Sequence, residues 1–290
     1  MNRSVAAAFA VLGAAFTSTA ALAQDAAPAS PITANIALTS NYKFRGQDQD
    51  QIGHNGFYKK KAFKPAIQGG FDYAHESGFY VGNWNSSVNW LSGNSIESDL
   101  YGGYKFKAGP VDMDVGAITY IYAGNAAGNT TELYIGAGWS DEAIGSFALK
   151  YSHTVSKDYF NYAGARNWNA WENPFSSRPS GRGTGYLNVS YSKVIVPNLT
   201  LKAAVGYTRM SSDIRSLGYK SYVDYNVGAT YDFGGGLTLS GSVQGANKKD
   251  SYRLATADGF DVFGDGSWMY GAQSQSVNKA RFIVTLAKSF

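Results

Sequence analysis

The sequence predicts an all-β protein: a transmembrane antiparallel up-and-down β-barrel of about twelve strands, behind a cleaved signal peptide. Three observations predict it. The chain opens on an export-type leader and closes on an amphipathic segment ending in Phe290. Between them run period-two segments whose connections alternate between long and short.

Composition agrees with that class. The 290 residues include 34 Gly, 21 Tyr and 16 Phe, and only 16% are charged. Glycine disfavours helices, and aromatic residues favour strands. Mean hydropathy is −0.25, and no stretch after the leader approaches the roughly 20 apolar residues that a spanning helix needs. A barrel with a lipid-facing outer wall and a polar inner wall has this balance. On composition alone, a soluble all-β sandwich is the alternative. The absence of cysteine excludes thiol catalysis and Cys-ligated metal sites. The net charge of +4 is modest and the basic residues are scattered, so nucleic acid is not an expected partner.

The leader begins with Arg3, continues as an apolar run from Val5 to Phe16, and ends at Ala21-Leu22-Ala23 before Gln24. A charged start, a short apolar core and a small-x-small site make a secretory signal. Residues 1–23 are therefore expected to be removed. Residues 24–31 read as a flexible Ala/Pro-rich lead-in, and residues 32–290 as the barrel.

Alternation then marks the strands in order. Ile36, Leu38, Tyr42 and Phe44 oppose Asn35, Thr39, Lys43 and Arg45. Ile67, Phe71 and Tyr73 oppose Gln68 and Asp72, and Phe79 to Val88 is a strand of ambiguous phase. Ile96, Leu100, Tyr104 and Phe106 oppose Glu97, Asp99 and Lys105. Met113, Val115 and Ile121 oppose Asp112 and Asp114, and Leu133, Ile135 and Trp139 oppose Glu132 and Tyr134. Phe147, Leu149 and Tyr151 oppose Lys150 and Ser152, and Leu187, Val189 and Tyr191 oppose Asn188 and Ser190. Leu201, Val205 and Tyr207 oppose Lys202, and Val223, Val227 and Tyr231 oppose Asp224 and Asn226. Leu237, Leu239 and Val243 oppose Ser240 and Gln244. Phe282, Val284, Leu286 and Phe290 oppose Arg281, Thr285 and Ser289 in the closing strand. An outer-membrane barrel typically ends in such a strand with a terminal Phe, so Phe290 is expected to be the signal read by the barrel-assembly machinery.

The connections fall into two sets. Short ones lie at residues 75–78, 107–110, 141–145, 194–198 and 232–236, most of them holding Gly, Pro, Asn or Asp as tight turns do. Longer ones run over residues 46–64, 89–95, 123–130, 156–183, 209–220 and 247–279. Short periplasmic turns and longer external loops are the barrel rule, which puts both termini on the periplasmic side. Aromatic girdles are expected at Tyr73, Phe106, Trp139, Phe147, Tyr231 and Phe290 on the periplasmic rim, and at Phe44, Ile121 and Tyr207 on the external side.

Several motifs also resemble a known family. Ser40-Asn41-Tyr42-Lys43-Phe44-Arg45-Gly46 is similar to the opening motif of the TorF-type porin family, also called Gcw-CHP. Residues 65–73, 78–82, 97–104 and 156–160 resemble its later motifs, and Ala287-Lys288-Ser289-Phe290 resembles its ending. The likeness covers nearly all of the mature chain. The first loop from Gln47 to Lys64 is longer than usual, and Ala123 stands where the pattern has Pro. The resemblance implies an outer-membrane β-barrel and a porin-type function.

A charge facing lipid at mid-membrane costs a few kcal/mol, so inward-phase charges should line the lumen. The expected pore-lining residues are Lys43, Arg45, Asp72, Glu97, Asp99, Lys105, Glu132, Lys150, Lys202 and Asp224. The expected function is a passive diffusion channel for small polar solutes. The alternative is a structural or adhesion barrel whose lumen is filled by paired charges. Lys59, Lys60, Lys61, Lys64, Arg166, Arg178 and Arg182 are expected to form an external basic vestibule, giving a weak preference for anions or binding lipopolysaccharide phosphates. The expected partners are outer-membrane lipid and lipopolysaccharide, the assembly machinery and the solutes themselves.

Catalysis and metal binding are not expected. Asp112 and Asp114 share a face near a turn and read as solvated rim residues. Asp48-Gln49-Asp50 lacks the Gly and distal Glu of a calcium loop. Ser152 and His153 are neighbours on a strand, so they point to opposite faces, and no nucleophile motif is present. No cofactor is implied.

Overall fold

The structure, a computed structural model, describes residues 30–51, 63–91, 93–162, 179–255, 260–261, 268–269 and 274–290. The predicted signal peptide and nearly all of the lead-in lie outside the described residues. Twelve strands close into one barrel: β1 (Ile32–Thr39), β2 (Ala66–Ala74), β3 (Phe79–Ser87), β4 (Ile96–Ala108), β5 (Val111–Ile121), β6 (Thr130–Asp141), β7 (Gly145–Thr154), β8 (Gly185–Val196), β9 (Leu199–Arg209), β10 (Tyr222–Gly234), β11 (Leu237–Ala246) and β12 (Arg281–Ser289). Each strand pairs antiparallel with its neighbours in sequence. β1 closes the ring on β12, with Leu38 opposite Leu286 and Asn35 opposite Ser289. Closure leaves no open edge, which hydrocarbon could not satisfy.

Alternation sorts the side chains as the sequence predicts. Leu38, Ile67, Phe71, Leu100, Leu149, Val205, Val227 and Phe282 are exposed on the outer wall, where they form an apolar belt. Their strand neighbours Gln68, Asp99, Asp114, Glu132, Ser152, Lys202 and Arg281 are buried inside. The phase of β3 is now clear: Phe79 and Val81 face out, and Gly82 and Ser86 face in. At the end of the barrel with short turns, Tyr73, Phe106, Trp139, Phe147, Tyr231 and Phe290 are all exposed outward. Trp139 and Phe147 stack there with centroids 6.1 Å apart. Tyr207 faces outward near the other end.

One expected element differs. The first strand stops at Thr39 instead of running through Phe44. Tyr42 and Phe44 are not lipid-facing: they are 2% and 9% exposed, against 58% for Leu38. The chain turns inward after β1. Lys43–Phe44 and Gln47–Asp48 pair as a small hairpin inside the barrel. Arg45 (φ 46°) and Gly46 (φ 75°) form its two-residue turn, both in the left-handed region that such tight hairpins require. A buried hairpin alternates with period two just as a wall strand does, and this is why Tyr42 and Phe44 resembled a continuation of β1.

Candidate functional site

The lumen is the candidate site, and the hairpin divides it. Its tip reaches the wall at β10 and β11. A Cβ on Gly46 would lie 2.6 Å from the Gly245 carbonyl oxygen on β11 and 2.8 Å from Asp224 Cβ on β10. Only glycine fits at that contact. Arg45, next to it, makes two parallel hydrogen bonds with Glu132 of β6, at 2.9 and 2.7 Å. Its guanidinium also donates to the Tyr159 hydroxyl at 3.2 Å and lies over the Tyr186 ring. The bidentate geometry and the aromatic face are what a planar guanidinium can use and an ammonium cannot.

The base of the hairpin is held by Asp48, which is fully buried. Three cations converge on its carboxylate: Lys43 at 2.9 Å, Lys64 at 3.5 Å and Arg281 of β12 at 3.2 Å. Lys43 also donates to the carbonyls of Gly46 and Val277. Burial, opposed by the attraction of Asp48, pushes the Lys43 ammonium down to about 8. Burial likewise lowers Lys64. Around the hairpin, Phe44, Trp90, Tyr120, Tyr122, Phe160 and Tyr222 pack as one aromatic cluster.

Below the hairpin, towards the short turns, the two walls differ. On β2 to β7 large side chains fill the space. Tyr101 donates to Asp72 at 2.5 Å, and Tyr80 donates to Asp114 at 2.6 Å and touches the Tyr134 hydroxyl. Lys105 lies over the Tyr80 ring and Lys150 over the Tyr134 ring. Closer to the hairpin, the Glu97 carboxylate accepts from Tyr42 at 2.6 Å and from Tyr122, while Asp99 is buried nearby on the same face. On β9 to β12 many inward side chains are small, among them Ala204, Gly228, Thr230, Ser240, Ser242, Thr285 and Ala287. There a cavity of about 30 Å³ is lined by the polar side chains of Lys202, Asn226, Thr230, Ser240, Ser242 and Gln244 together with the apolar atoms of Gly228, Ala229 and Ala287.

The structure thus brings all ten expected pore-lining residues inside the barrel, though Lys43 and Arg45 sit on the hairpin and not on a wall strand. Asp224 accepts a hydrogen bond from Tyr186 at 3.2 Å. The expected vestibule changes more. Lys64 is 2% exposed and bound to Asp48, so it belongs to the hairpin anchor and adds no free charge outside. Arg182 is exposed at the loop end, its Nε donating to the Val155 carbonyl. Lys59, Lys60, Lys61, Arg166 and Arg178 lie outside the described residues. Ser152 is buried inside while His153, on the other face, meets the Tyr151 hydroxyl. Sequence reading missed Asp48 and Arg281 as partners, because 233 residues separate them.

Comparisons with known proteins agree with this architecture. A family model described as "Bacterial protein of unknown function (Gcw_chp)" matches residues 23–276. A search of curated proteins finds no significant match. Among solved structures, the NanC porin superposes with a TM-score of 0.50 at 10% identity, covering 89% of this chain and 98% of that one. The KdgM porin gives 0.49 at 10% identity with the same coverage. The outer membrane protein OprD from Pseudomonas aeruginosa gives 0.36 at 15%, covering 78% of this chain and 59% of that one. At this identity the likeness to NanC is one of fold.

Proposed function

We propose that this chain, which belongs to the Gcw_chp family, is a narrow outer-membrane channel that passes small polar solutes by diffusion. One observation carries the reading: a closed barrel puts an apolar belt outside and a charged, hydroxylated lumen inside. A polar interior costs a membrane protein packing energy that an apolar core would supply, and an aqueous path is the use that repays it. In this reading residues 1–23 are removed on export. The short turns and both termini face the periplasm, and the long loops meet lipopolysaccharide. Phe290 is the signal read by the assembly machinery. Arg182, with Lys59, Lys60, Lys61, Arg166 and Arg178, gives the outer mouth a weak preference for anions, and no catalytic role is assigned.

Liposome swelling tests the reading. The refolded protein, its fold checked by heat-modifiable gel mobility, should let arabinose enter vesicles faster than a disaccharide. The hairpin across the lumen favours a second reading, a structural barrel with no open path. Folded protein that admits neither sugar would establish that second reading.

A further inference from the structure

The walls below the hairpin are unequal, and this inequality locates a binding site. Room inside a barrel is left where inward side chains are small. The β2 to β7 side is filled by Tyr80, Tyr101 and Tyr134, whereas β9 to β12 presents Thr230, Ser240, Ser242 and Thr285. The cavity lies on that second side, and Lys202 is the charged residue in its lining. We propose that Lys202, with the hydroxyls and amides around it, binds the anionic group of a small hydroxylated acid on its way through the lumen. This rests on the channel reading for passage of the solute but not for its binding.

The hydrogen-bond inventory gives the ligand its chemistry. Gln244 Nε2 donates to Ser242 Oγ at 3.0 Å, which leaves the Ser242 hydroxyl proton to be donated onward. Thr230 and Ser240 share one hydrogen bond at 3.0 Å, so one of their two protons also remains to give. These donors, beside an ammonium, suit a carboxylate or phosphate oxygen. Asn226 Oδ1 supplies the opposite need. It is a buried acceptor with no partner among the described residues. Such an atom costs free energy unless a donor reaches it, and a solute hydroxyl is a fitting donor. A cavity of about 30 Å³ holds the charged head of such a solute and leaves its remainder in the lumen.

Solution NMR on the folded full-length barrel in detergent micelles tests the site. Sodium gluconate is the hydroxylated carboxylate probe, and inorganic phosphate is the probe for an oxyanion alone. Gluconate should shift the amide signals of residues near 202, 226 and 242 and saturate. Losing a charge-assisted contact should raise the half-saturating concentration roughly tenfold in Lys202→Gln. Lys202→Arg should restore binding. Asn226→Leu should weaken gluconate but leave phosphate unchanged. Lys107→Gln, which removes a rim lysine paired with Asp112, should change neither. Unaltered gluconate affinity in Lys202→Gln, or shifts confined to other strands, would overturn the proposal. Saturable binding at Lys202 in a barrel that fails to swell liposomes would leave the site standing and remove the channel reading instead.

Discussion

Arg45 and Glu132 join the tip of the inward hairpin to the wall opposite β1, through two hydrogen bonds of 2.9 and 2.7 Å between buried groups. Such a pair gains from its geometry but leaves a strongly unfavourable charge behind when one partner is removed. Arg45→Gln should therefore loosen the hairpin by about 3–5 kcal/mol and raise the open lumen's conductance. Glu132→Gln should do the same, and a double-mutant cycle should show strong coupling. Additive effects of the two changes would mean that the pair does not hold the hairpin.

Gly46 tests the same contact by shape. Its φ of 75° and its approach to Gly245 and Asp224 leave no place for a methyl group. Gly46→Ala should unseat the tip and increase conductance. Gly218 has a similar positive φ of 91° but nothing within 4 Å of its would-be Cβ. Gly218→Ala should cost only the backbone term, about 1–2 kcal/mol, with conductance unchanged. Equal behaviour of the two variants would deny the tip contact.

Lys43 gives the anchor a pH dependence whose sign is fixed by its shift. Burial lowers its folded value to about 8 from an ordinary 10.5. Between those values the unfolded chain binds the proton and the folded chain does not, so stability rises with pH in that window. Urea unfolding in detergent should show the wild-type advantage over Lys43→Met growing from pH 8 to pH 10. An advantage that shrinks over that range would contradict a buried, destabilised ammonium.

The seam between first and last strands should govern assembly. The Phe290 backbone exchanges two hydrogen bonds with Ala34, at 2.9 and 3.3 Å, while its ring faces outward. Phe290→Ala should lower the folded yield in cells, read as the fraction of heat-modifiable protein. Unchanged yield would remove its role as an assembly signal.

Much of the barrel was legible in the sequence because lipid outside and polar lumen inside impose period two on every wall strand. Leu201, Lys202, Val205 and Gly206 show the pattern plainly, and the loop lengths give the up-and-down order. What was not legible depended on contacts between distant segments. Tyr42 and Phe44 carry the same alternation whether the partner is lipid or an aromatic cluster. Lys64 is one of four lysines in the first loop, and nothing local distinguishes it as the one that reaches Asp48. The turn Arg45-Gly46 was the available signal for the hairpin. An X-Gly pair between alternating residues invites a tight turn, but Arg in the left-handed region is uncommon enough to be passed over. The difference between the two lumen walls is likewise a property of the closed ring, since it compares side chains on strands far apart in sequence.

Single-channel recording of the refolded wild-type protein beside Arg45→Gln and Gly46→Ala tests the central claim most directly. A lumen narrowed by the first loop predicts small, discrete wild-type steps and steps several-fold larger in both variants, with a lower anion preference when Lys202→Gln is added. Folded proteins that are silent in all forms, or steps of one size in wild type and both hairpin variants, would contradict it.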